Sequence, residues 1–143
     1  MYKQFTNLSG QKYLTISYDE KEGWVQDKWT GNFGTQENFR NGVLSVVEFI
    51  EGSQGQCTMW LADLSEMKGS WDSSRDWIAQ HIMPRVLKAG LLFEAVVLPK
   101  DVFSKLSAQD TIMKIDDFEL QQFQDIEEAK VWLTQQKEAK MSA

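Results

Sequence analysis

At 143 residues, 42% apolar and 25% charged, the chain has the size and composition of one globular domain. Its net charge of −6 argues against nucleic acid and anionic membrane surfaces as partners, since both are polyanions. Cys57 is the only cysteine and His81 the only histidine, which excludes an internal disulfide and a four-ligand Cys/His zinc site. Six tryptophans supply core volume and leave some rings over for an interface. The opening stretch "MYKQFTNLSGQKY" has no apolar core of a signal peptide, and no apolar run approaches the roughly 18 residues of a membrane span. The expectation is a cytoplasmic protein whose residues 1–143 form a single domain.

In chain order, "KYLTISY" at 12–18 alternates, with Leu14, Ile16 and Tyr18 on one face and Tyr13, Thr15 and Ser17 on the other, polar one. "WVQDKWT" at 24–30 follows the turn "DEKEG", so the two segments predict an antiparallel hairpin. Thr35 is an N-cap for a helix over about 36–51, whose apolar stripe is Phe39, Val43, Val46, Val47 and Ile50. Gly42 weakens that helix by about 1 kcal/mol, and Gly52 can end it. "CTMWLAD" at 57–63 predicts a buried strand, followed by a loop over 64–72.

The stretch "RDWIAQHIMPRVLKAG" at 75–90 predicts a helix kinked at Pro84. At about 100° per residue, Ile78, Ala79, Ile82, Met83, Val86, Leu87 and Ala89 form its core face. Trp77, His81, Pro84, Arg85 and Lys88 lie opposite. "LLFEAVVL" at 91–98 is the most apolar strand and ends at Pro99. "KDVFSKLSAQDTIMKI" reads as helical, in two pieces with a break near Ser107. "ELQQF" at 119–123 reads as a weak edge strand. Asp125 and Glu128 form a capping box for a last helix that buries Ile126, Ala129 and Leu133. Strands alternating with helices predict an α/β fold on a mostly parallel, five-stranded sheet whose first strand is an antiparallel edge.

Three stretches, "DLSEMKGSWDSS", "LPKDVFSKLSAQDTI" and "FQDIEEAKVWL", resemble the STAS domain superfamily over roughly residues 12–135. The nearest likeness is to its small stand-alone SpoIIAA-like members. Through "GSWDSSRDW", "MPRVLKAGL" and "FSKLSA" the chain also resembles a group of mostly uncharacterised bacterial proteins. The resemblance implies a (βα)-superhelix with helices mainly on one sheet face. It also implies a phosphorylatable serine directly after the aspartate of the Asp-Ser-Ser helix start, which here is Ser73; Arg75 stands where the family has glycine. A phosphate at that helix start would sit in a favourable field.

Three stretches hold candidate binding residues. Trp77, His81 and Pro84 form an outward patch on the kinked helix. Asp63, Ser65 and Trp71 follow a central strand, where ligands of open α/β sheets collect. Asn32 and Phe33, between two glycines, sit at another strand end, and an exposed Phe33 would suit contact. No nucleophile–base pair, metal cluster or cofactor loop is visible, so catalytic residues, metal ligands and cofactors are not expected. The expectation is a non-enzymatic interaction or regulatory domain that forms a homodimer, acting on itself or on a protein partner. The alternative is a small-molecule or lipid-binding module, with a small apolar ligand in a pocket under the 30–35 and 64–72 loops.

Overall fold

The computed structural model describes residues 2–100, 112–115 and 118–142, and its first element is a strand that no hydrophobic pattern announces. β1 (Tyr2–Thr6) is almost wholly exposed and pairs antiparallel with β2 (Lys12–Asp19). The expected antiparallel edge is therefore β1, and β2 lies inside the sheet. The pairing slips between Phe5 and Thr6, leaving Tyr13 as an extra residue. That bulge buries Tyr13 as well as Leu14, with the Tyr13 ring 6.1 Å from Trp29 and its hydroxyl 3.5 Å from the Asn38 carbonyl. Tyr13 is thus a core residue, not part of a polar face with Thr15 and Ser17.

β2 and β3 (Trp24–Asn32) form the expected hairpin, closed by Gly23 at φ 89°. α1 (Gln36–Gly52) starts where Thr35 accepts a hydrogen bond from the Asn38 amide through its side chain. It buries the predicted stripe of Phe39, Val43, Val46, Val47 and Ile50. The chain turns out of α1 through left-handed Gln54 and Gly55, beyond Gly52. Gly42 is required by packing: a Cβ there would lie 2.5 Å from Leu14 Cδ2 and 2.7 Å from Trp29 Cη2. The glycine lets α1 settle directly on the hairpin.

β4 (Met59–Lys68) runs through most of the expected 64–72 loop. Its partner register slips by one residue between Lys28 and Thr30 of β3, a bulge opposite Asp63–Glu66. The helical segment that follows is built from four short pieces: a 3-10 turn (Asp72–Ser74), α2 (Arg75–Trp77), a π turn (Ile78–Ile82) and α3 (Met83–Lys88). The expected kink at Pro84 takes the form of that π turn. Proline cannot donate to the carbonyl four residues back, and the Met83 amide before it donates to Ile78, five back. The wider turn shifts the phase. Ile82 and Val86 are buried as predicted, while Ala79 is exposed.

β5 (Phe93–Val97) pairs parallel with β4 and with β7 (Phe118–Phe123). Between them in sequence, β6 (Ile112–Ile115) pairs antiparallel with β7. Residues 112–115 are therefore strand where helix was expected, and β7 is an inner strand, not an edge. The proposed break near Ser107, and the rest of that expected helix over 101–111, lie outside the described residues. α4 (Ile126–Ser142) begins where the Asp125 carboxylate accepts from the Glu127 amide at 2.9 Å, and it buries Ala129 and Leu133.

Among the described residues the sheet has seven strands in the order β1-β2-β3-β4-β5-β7-β6, not five. A parallel block of β3, β4, β5 and β7 is flanked by antiparallel strands on both sides. Side chains alternate between two cores. Trp60, Ala62 and Leu64 join α1 and the 72–88 segment on one face. Met59, Leu61, Ala95 and Val97 join α4 on the other. The expectation of helices mainly on one face misses α4, which fills the space beneath β4, β5 and β7 with Ala129, Leu133 and Trp132. On that same face, Thr15, Ser17 and Gln26 are half-buried polar residues, and Lys28 pairs with Glu66 at 3.3 Å.

Candidate functional site

α1 presents Gln36, Glu37, Arg40, Asn41 and Leu44 at three- and four-residue intervals, with Glu51 two turns further along the same face of the helix. The 72–88 segment lies alongside. Two adjoining cavities of about 500 Å³ each share Leu44 and Trp77, so they make one groove between the two elements. Gln80, His81, Ile82, Pro84 and Arg85 line one half; Gln36, Glu37, Arg40 and Asn41 line the other.

Polar clamps set the groove's width at both ends. At one end Gln36 donates to the Ser70 carbonyl at 2.7 Å and accepts from Ser74 Oγ at 2.7 Å. Arg40 Nε donates to the same Ser74 oxygen at 3.0 Å, and its guanidinium lies 5.1 Å from the Trp77 ring centre. At the other end Arg85 grips Glu51 with two bonds, Nη2 to Oε1 at 2.7 Å and Nε to Oε2 at 3.0 Å. That guanidinium holds the Glu51 carboxyl below the ordinary carboxylate range. Between the clamps lies a half-buried Trp77 with exposed His81 and Pro84 on the same side. The three residues expected to form an outward patch are thus brought together.

The other candidates go elsewhere. Phe33 is buried, not exposed: its ring centre is 5.5 Å from that of Phe39 and 6.2 Å from that of Trp29. Trp71 stacks on Phe39 at 5.9 Å, with ring planes 7° apart. These rings pack against one another beneath the 30–35 stretch, where the alternative reading places an apolar ligand pocket. Asn32 turns its side-chain oxygen to the Gly34 amide at 2.8 Å, an Asx turn that starts the path into α1. Asp63 does not end its strand; its Oδ1 accepts from the Ser65 amide and hydroxyl at 3.1 and 2.6 Å, which holds the β4 bulge. Ser73 is exposed on the 3-10 turn, whereas its neighbour Ser74 is fully buried and serves the Arg40 clamp.

A second polar cluster belongs to no sequence motif. Asp27 and Glu94 are 2% and 4% exposed, on the sheet face covered by α1. Asp27 accepts an indole N–H on each oxygen, from Trp29 at 2.8 Å and from Trp60 at 2.7 Å. Trp60 stands between the two acids, since it pairs with Glu94 across β4 and β5. Glu94 Oε1 is buried with no hydrogen-bond partner. Burial pushes the Asp27 carboxyl up to about 7 although both indole bonds pull it down. Burial, with Asp27 adding to it, raises that of Glu94 well above the usual carboxylate range. The signal was present in the strand pattern. Asp27 shares the inward parity of Val25 and Trp29, and Glu94 interrupts the most apolar strand of the chain.

Among the described residues no group of three or more His, Cys, Asp or Glu side chains is placed to hold a metal ion. No described helix is long and apolar enough to cross a membrane. No known family model, curated protein or solved structure matches the chain.

Proposed function

We propose that the chain is a non-enzymatic, STAS-like interaction or regulatory domain, and that it self-associates through the groove between α1 and the 72–88 segment. The clamped groove around Trp77 carries this reading. The Arg40 guanidinium against the ring of a half-exposed Trp77 restrains it, which lowers the entropy lost when a partner covers it. Charge supplies the occupant. In the 75–88 segment Arg75 is paired with Asp72 and Arg85 with Glu51, and Lys88 is exposed beside them on a chain of net charge −6. A second copy offers acidic surface to that segment, and complementary charge steers association. The STAS-like reading is supported by an Asp-Ser-Ser turn following the central strand β4, by Pro99 soon after β5, and by the last helix capped at Asp125.

Sedimentation velocity tests the proposal. A dimer is expected at micromolar concentration in low salt, weakened by added salt. Lys88→Glu and Trp77→Ala should each shift it toward monomer. A monomer at high micromolar concentration in low salt would refute self-association, and a dimer indifferent to both substitutions would refute the groove.

A further inference from the structure

We propose that Asp27 and Glu94 form a proton-linked stability switch: the native packing keeps Glu94 as the neutral acid, and loss of its proton loosens the α1 face of the sheet. The two acids differ in what surrounds them. Asp27 has a donor on each oxygen, an arrangement that suits a carboxylate. Glu94 is equally buried, yet its Oε1 meets no donor. A carboxylate with a bare buried oxygen is costly, and protonation removes the charge.

Among the described residues, no cation on the surrounding elements offsets either acid. On β3, Lys28 pairs with Glu66 of β4. On β4, Asp63 adds a further buried carboxylate that pushes Asp27 up, and just before that strand the buried Cys57 thiol donates to the Met59 carbonyl at 3.5 Å. On α1, Arg40 holds Ser74, Glu51 is gripped by Arg85 of α3, and Glu37 and Glu48 are exposed. On α3, Lys88 is exposed. On β7, Glu94 pairs with apolar Leu120, while Glu119 pairs with Phe93, which packs in the α4 core.

The sign follows from linkage. An acid whose folded pKa lies above its unfolded value stabilises fully below the unfolded value and loses that contribution as pH rises through the folded one. Among the described residues, the other groups with shifted titration act outside the window from pH 5 to 8. Arg85 lowers Glu51, whose effect falls at more acidic pH, and the raised Cys57, Tyr13 and Tyr18 act at more alkaline pH.

Urea unfolding of the intact chain across that window tests the switch. The folded-to-unfolded ratio should fall with rising pH, by about tenfold per pH unit for each proton that separates the two states. Glu94→Gln should lower this slope by about one proton and raise the urea midpoint at pH 8 above that of the parent. A flat or rising parent profile, or an unchanged slope in Glu94→Gln, would overturn the proposal. If the variant fails to fold, infrared spectroscopy of the parent chain carrying 13C-labelled glutamate decides. A protonated glutamic acid carbonyl band at neutral pD supports the switch, and its absence overturns it.

Discussion

Replacing Gly42 by alanine sets two effects of known sign against each other. Alanine in a helix interior is favoured over glycine by about 1 kcal/mol, so propensity alone predicts a more stable protein. Packing predicts the reverse. The new methyl would stand 2.5 Å from Leu14 Cδ2 and 2.7 Å from Trp29 Cη2, about 1 Å inside ordinary carbon–carbon contact. The atoms in the way end side chains, but neither chain can swing aside. Leu14 is 0% and Trp29 1% exposed, and the Trp29 indole is tied to Asp27 at 2.8 Å. Overpacking of this kind costs about 1–3 kcal/mol. The net expectation for Gly42→Ala is a loss of about 1 kcal/mol, which for a chain of this size lowers the melting temperature by roughly 2–4 °C. Gly52 in the same helix is the control, because a Cβ there meets nothing within 4 Å. Gly52→Ala should be neutral or slightly stabilising in the same calorimetric scan. A Gly42→Ala protein more stable than its parent would show that α1 does not bear directly on Leu14 and Trp29.

His81→Ala should change stability by less than about 0.5 kcal/mol, as exposed substitutions do, whereas Trp77→Ala should cost about 1–3 kcal/mol, part of the loss for a fully buried tryptophan; paired thermal melts check both. Ser74→Ala should cost about 1–2 kcal/mol by stripping a partner from both Gln36 and Arg40, and Ser73→Asp, one residue away but exposed, should leave the melting temperature within a few degrees of the parent. Trp60→Phe removes one of the two donors on Asp27. It should therefore cost more at pH 8, where Asp27 is ionised, than at pH 5, by urea titration at both.

The legible parts of this fold were those in which burial is periodic. The hairpin followed from Leu14, Ile16 and Tyr18, and α1 from Phe39 to Ile50, because one face of each element is covered and the other is not. β1 showed no such pattern because its residues stay near solvent and the ladder to β2 holds it. Periodicity also misled at two irregular points. The bulge that sets Tyr13 beside Leu14 breaks alternation without any glycine or proline to mark it. In the 75–88 stretch, a uniform helical phase carried Ala79 inward with Ile82, whereas the π turn before Pro84 adds a residue to the turn and leaves Ala79 in solvent. Pro84 signalled the disturbance but not its form.

The groove was legible for a different reason. Trp77, His81 and Pro84 come from one short segment, so helical spacing alone could set them on one side. Arg40, Ser74, Glu51 and Arg85 could not be found that way, because each clamp joins residues 34 positions apart. Asp27, Trp60 and Glu94 present the same difficulty on three strands, with the indole of Trp60 reaching an acid 33 positions away. What strand parity does supply is the anomaly itself. An acid on the inward face of a buried strand needs either a partner or a proton. Asp27 has a donor on each oxygen and Glu94 has a buried Oε1 with none, and that asymmetry is why the proton belongs on Glu94.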